Sequence, residues 1–441
     1  MYKLTPAPEI HGRIAKLQER LRDAHLDAAF LVQNADLFYF TGSIQQGILI
    51  VPAEGEPVYF VRRVFERAVS ESPLSNVRRI AGPREVTAYF AERKIAFPSI
   101  GFELDVLPVG TYQRFQQVFP GAKPEDVSPI VREIRATKSP HEAEALRENG
   151  RKLAALLSGA RGKIRPGVTE VALQGLLQGE AIGGGHSTIN RMRAFNQEPG
   201  LGCVISGPDA AVPSYADFPT AGQGLSPYIP AGQGERAIQG NEPVIIDLMW
   251  AQDGYLVDMA RTYSVGPMPG KMEEAYGHAV AVLRAVEAGI RPGAVAGDLY
   301  AAGLAVAAAT PYAGNFMGPP GYNTKFIGHG IGIEVDEFPF IAKGSPTVLA
   351  PGMVFALVPW RGTFTPPVLP LLFPRRTWRI SWARRGIIQS SSATGSGSRW
   401  TSSPSSRRAP PRSLPPAWYS PSSRSSSSRG RAPWDWRTRT W

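Results

Sequence analysis

Val244-Ile245-Ile246-Asp247-Leu248-Met249-Trp250-Ala251-Gln252-Asp253-Gly254-Tyr255-Leu256-Val257-Asp258 reads as a β-hairpin that carries two carboxylates. An apolar, β-branched run enters, Asp253-Gly254 is the residue pair that a two-residue type I′ turn prefers, and a second strand returns through Tyr255 to Tyr263. With that turn, Gln252 faces Tyr255 and Asp258 falls opposite Met249, two residues from Asp247. Side chains two apart share a face, so both carboxylates point the same way, as diagonal neighbours roughly 7–8 Å apart at Cα. That is close enough for two short side chains to converge on one cation, and without one they repel. The plainer reading is that they cap strand ends or pair with Arg261.

Downstream lies Phe326-Ile327-Gly328-His329-Gly330-Ile331-Gly332-Ile333-Glu334-Val335-Asp336-Glu337, a glycine-spaced apolar segment with one histidine. A lone histidine is most often structural. Beside two same-face carboxylates, a neutral imidazole completes an oxygen and nitrogen donor set suited to Mn, Co, Fe or Zn.

These motifs resemble the pita-bread metallopeptidases: aminopeptidase P, prolidase, methionine aminopeptidase and the metal-free relative creatinase. The family pattern of Asp, ten intervening residues and Asp-x-x-Arg falls on Asp247, Asp258 and Arg261, its Gly-His-Gly-x-Gly on Gly328 to Gly332, and its Pro-Gly-Met-Val-Phe-Ala strand on Pro351 to Ala356. The resemblance covers roughly residues 10 to 357. It implies an α+β chain that hydrolyses short peptides of the Xaa-Pro type. It further implies a homodimer and a two-ion centre of Mn, Co or Zn, with Asp247, Asp258 and His329 as ligands and Asp258 bridging.

An internal repeat points to the same architecture. Ile164-Arg165-Pro166-Gly167 and Ile290-Arg291-Pro292-Gly293 each follow an amphipathic stretch and precede another, so helix, turn and helix recur, although Pro-Gly also ends unrelated helices. The family fold contains two pseudo-symmetric halves flanking a curved sheet. Upstream, Ile14, Leu17 and Leu21 recur at helical spacing, Ala28 to Val32 reads as a strand, and residues 47–51 and 57–61 read as a hairpin around Ala53-Glu54-Gly55-Glu56. This α/β unit resembles the creatinase-type amino-terminal domain, including Tyr39-Phe40-Thr41-Gly42. Ser139 is placed to cap a helix entered through Pro140. The expected division is an amino-terminal domain over 1–140, a pita-bread domain over 141–360, incomplete at its end, and a basic low-complexity tail over 361–441.

The chain also departs from the family. Family members read Phe-Ala-x-Glu-Pro where this chain reads Phe355-Ala356-Leu357-Val358-Pro359, so Val358 stands at a ligand position, and Glu337 is the last glutamate. At most one weakly bound ion is therefore expected, and no side chain is assigned as the general acid or base. Ser214, in Pro213-Ser214-Tyr215, and Asp336, before Glu337, stand where relatives carry histidines that bind substrate and stabilise the oxyanion. Arg261, Ser214, Tyr215, Asp336 and Glu337 are accordingly expected around the ligands or in the substrate pocket. The stretch from Pro213 to Gly234, rich in Gly, Pro and Ser, is either a surface loop or a wall of that pocket. Two further readings stay open: a creatinase-like C–N hydrolase without metal, and a non-catalytic binding protein on the same fold.

Charge separates the last stretch from the rest. The chain is +11 overall, but residues 338 to 441 hold fifteen Arg, Lys343 and a single acid, Asp435, which leaves residues 1 to 337 at −4. Eight of the nine tryptophans lie there too, among Ser, Pro and Arg runs, a mixture that fits neither a disordered tail nor a packed domain. It reads as an out-of-frame translation of a GC-rich gene. A nucleic-acid-binding tail is the disfavoured alternative, and a functionless extension a third. One cysteine, Cys203, allows no internal disulfide; no apolar run approaches a membrane span and no signal-type segment opens the chain, so a cytoplasmic location is expected.

Overall fold

The computed structural model describes residues 3–198, 200–215 and 221–358, together with two short strands at 369–372 and 388–390. The expectations for the basic tail otherwise lie outside the described residues.

The first elements alternate. Helix α1 (Ala7–Asp23) is followed by β1 (Ala28–Leu31), α2 (Asn34–Thr41), β2 (Gly47–Pro52), β3 (Val58–Val61), α3 (Phe65–Glu71) and β4 (Val77–Arg79). Then come α4 (Pro83–Glu92), β5 (Ser99–Phe102), α5 (Val109–Gln116), β6 (Lys123–Asp126) and α6 (Ser128–Ala136). The six strands form one mixed sheet in the order β4-β3-β2-β1-β5-β6, with β1 and β2 antiparallel and β1 and β5 parallel. Strand β1 is central and buried along its whole length, which is why Ala28 to Leu31 carries no alternation. Helix α1 starts behind Pro6, whose ring suits a helix entrance, and turns Ile10, Ile14, Leu17 and Leu21 inward.

Helix α7 (Pro140–Ala160) opens with a capping box: Ser139 accepts from the Glu142 N–H while Glu142 accepts from the Ser139 N–H. It is followed by α8 (Glu170–Gly183), β7 (Gly202–Ser206), β8 (Pro243–Gln252), β9 (Tyr255–Val265), α9 (Gly270–Gly289), α10 (Ala296–Ala308), β10 (Phe326–Gly330), β11 (Glu337–Ala342) and β12 (Val354–Leu357). The short strands β13 (Leu369–Leu372) and β14 (Ile388–Ser390) complete two four-stranded sheets, ordered β11-β10-β12-β13 and β14-β9-β8-β7.

The repeat seen in the sequence is a repeat in space. Between α7 and α8 the Gly167 N–H donates to Ile238 O, and Thr169 bridges antiparallel to Ala237. Between α9 and α10 the Gly293 N–H donates to Leu349 O, and Val295 bridges to Val348. Both glycines are left-handed, φ +86° and +85°, which explains the Pro-Gly in each copy. The expected fold class is the observed one: an α/β amino-terminal unit followed by a duplicated helix-and-sheet unit.

Candidate active site

Strands β8 and β9 pair with the register that the turn dictates. Gln252 faces Tyr255 and Met249 faces Asp258, with Asp253 and Gly254 both at positive φ. Asp247 and Asp258 therefore share a face, and both line a cavity of about 620 Å³. Burial, and then the charge of Asp258, push the Asp247 carboxyl well above the usual carboxylate range. A cation held beside two same-face carboxylates would offset their mutual repulsion.

His329 reaches the same cavity from β10, between Phe340 on β11 and Ala356 on β12. Its Nδ1 lies 2.7 Å from Val335 O and 3.2 Å from Gly330 O. Both partners are carbonyls, so Nδ1 carries the proton and Nε2 is left with its lone pair, 3.6 Å from Asp258 Oδ2. The flanking glycines are steric requirements. A Cβ on Gly330 would collide with the Phe338 and Glu337 backbone, and one on Gly332 with the Glu337 carboxylate.

Of the other sequence-expected residues, Tyr215 and Asp336 line the cavity, while Ser214, Arg261 and Glu337 do not. Asp336 Oδ1 and Oδ2 accept from the backbone N–H of Arg193 and Ala194, each at 2.9 Å, which fixes the segment beside Met192 as a cavity wall. Glu337 turns the opposite way into a buried ionic cluster, 2.5 Å from Arg135 and 2.7 Å from Lys138. Burial disfavours its charge, but those two cations prevail and hold its carboxyl down at about 2. Arg261 sits on the face of β9 away from Asp258, with Nη1 donating to Ala260 O, and lies near Tyr263 and Tyr276. Val358, expected at a ligand position from the sequence resemblance, is 1 % exposed within the main apolar core, and its N–H donates to Ile327 O.

The ionic cluster extends into the amino-terminal unit. Arg193 grips Asp36 through Nη1 at 2.7 Å and Asp105 through Nε and Nη2 at 2.7 and 2.8 Å, and Arg135 lies 2.6 Å from Asp36. Nothing in the sequence spacing announces this. Cys203 is a second unanticipated participant: it pairs with Asp247 across β7 and β8, lines the cavity, and has its thiol pushed up by burial and then by the two aspartates.

The donor chemistry, two carboxylates and an imidazole whose tautomer is fixed from behind, fits one divalent ion. As placed, no group of three or more His, Cys, Asp or Glu side chains among the described residues closes on a common point, so coordination requires side-chain rotation. Nor does the sequence from residue 338 to 434 contain any carboxylate side chain to balance a second ion.

A duplicated helix-and-sheet unit behind an α/β amino-terminal unit, with carboxylates and a histidine converging in its cavity, defines a pita-bread hydrolase architecture. Residues 144–392 match metallopeptidase family M24, and residues 13–137 match the creatinase/prolidase N-terminal domain. The chain belongs to metallopeptidase family M24. It is 27% identical to the Xaa-Pro dipeptidase of Lactobacillus delbrueckii subsp. lactis over 78% of this chain and 88% of that one. With the probable dipeptidase PepE of Mycobacterium tuberculosis (strain ATCC 25618 / H37Rv) it shares 25% identity over 79% of this chain and 86% of that protein. Among solved structures, the Xaa-Pro dipeptidase from Bacillus anthracis superposes with a TM-score of 0.70 at 21% identity, covering 86% of this chain and 99% of that one. The prolidase from Pyrococcus horikoshii OT3 gives 0.68 at 20%, covering 82% and 96%. At these identities the structural likeness is one of fold.

Proposed function

We propose that this chain is a hydrolase of short peptides with Xaa-Pro character, working with a single divalent ion held by Asp247, Asp258 and His329. The observation that carries this is the convergence of those three side chains on one cavity, with His329 Nε2 turned toward Asp258 because Val335 O holds Nδ1. The mixed oxygen and nitrogen set suits Mn, Co or Zn, and the relatives named as Xaa-Pro dipeptidases support the substrate class. An ion bound there would supply Lewis acidity toward a peptide carbonyl.

The chain's own residues do the rest. His329 presents Nε2 in one tautomer, and burial together with the Asp258 charge raises the Asp247 pKa, so a cation bound beside Asp247 would compete with its proton. Met192, Phe326 and Phe340 give the cavity an apolar wall against which a substrate can pack. With no carboxylate side chain between residues 338 and 434, the centre in this reading holds one ion. In the same reading the chain divides at about residue 140 and again at about 360, and Ser214 and Asp336 supply no imidazole to the oxyanion.

The test is calorimetric titration of full-length, metal-stripped protein with Mn and Co, followed by assays on Xaa-Pro dipeptides. A single class of site near one equivalent, abolished in Asp258→Asn, supports the reading. Wild-type binding of two equivalents, or binding unaffected by Asp258→Asn, sinks it.

A further inference from the structure

In the segment from Pro213 to Gly234, Tyr215, Tyr228, Ile229, Ala231, Gly232 and Gln233 line the cavity. Its far end is fixed to α8, where Glu170 Oε2 accepts from the Gly234 N–H at 2.8 Å and Glu170 Oε1 accepts from the Ser206 N–H and Oγ. Arg236 reinforces this corner through Glu242 at 2.6 Å and Ser206 Oγ at 2.7 Å. Within the segment, the Gly222 N–H donates to Val212 O, Gly224 to Gly232 O, and Gly232 to Ala221 O, while Ser226 bridges to Ile229. Gly222 and Gly224 have positive φ, and a Cβ on either would strike the opposing backbone. Gly232 lies directly over Cys203, the residue opposite Asp247.

This scaffold holds large side chains out of the core. Tyr228 is 89% exposed, Tyr215 57% and Ile229 47%, yet all three line the same cavity as Asp247 and His329. Deeper in, Phe326, Phe340 and Met249 continue the apolar surface. Aromatic surface exposed at a cavity, on backbone tied by these hydrogen bonds, is available for a ligand to cover.

Resting on the peptide-hydrolase reading, we propose that Tyr215, Tyr228 and Ile229 are specificity-determining residues that select peptides whose residue before the scissile bond has an aromatic or large aliphatic side chain. Such a side chain lies against the tyrosine faces while its peptide carbonyl reaches the carboxylates and His329. Small or charged side chains leave the same surface wet and gain nothing from it.

The experiment uses full-length, Mn-loaded protein and three dipeptides, Gly-Pro, Leu-Pro and Phe-Pro. Affinity is measured by calorimetry and turnover by release of free proline. Wild type prefers Phe-Pro to Gly-Pro by about tenfold or more, and in the Tyr228→Ser/Ile229→Ser double variant the preference falls to within about twofold. Both replaced side chains are largely exposed, and an unchanged melting curve confirms that the variant folds. An unmoved preference in the double variant, or a wild type that binds Gly-Pro as well as Phe-Pro, overturns the proposal and leaves the peptide-hydrolase reading standing. A wild type that binds none of the three overturns both. A dimer that dissociates on the double substitution while the preference stays put assigns the tyrosines to a subunit contact and also overturns the proposal.

Discussion

His329 Nε2 faces Asp258 Oδ2 across 3.6 Å, with the other imidazole nitrogen 2.7 Å from Val335 O. A lone pair and a carboxylate face each other over a gap that only a proton or a cation can make favourable. Burial works against a charged imidazole, but Asp258 outweighs it and raises the His329 pKa. The pair is thus built around a positive charge, whichever species supplies it.

Removing either partner should disable cation binding. His329→Ala and Asp258→Asn are each expected to weaken Co binding by at least about tenfold, by analogy with the losses seen when supporting ligands are removed. Titration of the cobalt visible absorption reads this without any turnover assay. Wild-type affinity in either variant would remove that residue from the ligand set.

Arg193 joins the cavity wall to the amino-terminal unit. Arg193→Met strips one guanidinium from Asp36, which is fully buried, and both bonds from Asp105. Breaking a buried pair from one side costs about 3–5 kcal/mol, and urea unfolding should show a loss in that range. Arg193→Lys should recover only part of it, because a point charge cannot reproduce the two-pronged contact with Asp105.

Glu337 gives an acid limb to stability. Its folded pKa is lowered from 4.5 to about 2, so the folded state binds this proton less readily than the unfolded chain. The contribution is fully present above about pH 4.5 and is lost as pH falls toward 2, amounting to about 3 kcal/mol. Glu337→Gln should flatten the dependence of unfolding free energy on pH between 5 and 3. A slope equal to that of wild type would show that Arg135 and Lys138 do not hold the carboxylate.

Val358 offers a test of the family ligand position. Val358→Glu places a carboxyl in an apolar core position that is 1 % exposed, and without metal the melting temperature should drop. Added Mn should recover part of the loss if the new carboxylate turns to the cavity, since a ligand bound to the native state stabilises it. An equal drop with and without Mn would mean that this strand cannot deliver a ligand.

Legibility tracked the range of the forces involved. The hairpin was readable because a two-residue turn sets the register of every pair behind it, so Asp258 opposite Met249 follows from Asp253-Gly254 alone. Helix α7 was readable because Ser139, Pro140 and Glu142 are local signals. The Arg193 contacts with Asp36 and Asp105 were not, because ion pairs across distant segments leave no spacing in the chain. Cys203 was missed for a similar reason: β7 meets β8 only after the long 207–234 excursion, so its register with Asp247 cannot be counted off. Asp336 and Glu337 were expected together, but Asp336 ends the turn before β11 and faces the cavity, while Glu337 begins the strand and enters the ionic cluster.

The paired turns at Gly167 and Gly293 give the molecule an internal replicate. Both have the same backbone twist, both donate at 2.9 Å to a segment that forms an isolated bridge beside the turn, and neither has a non-neighbouring heavy atom within 4 Å of where a Cβ would stand. The local penalty of an alanine is therefore matched at the two places, about 1 kcal/mol each. Any difference between Gly167→Ala and Gly293→Ala then measures how strongly each half of the chain leans on its own hinge, with one half serving as the control for the other.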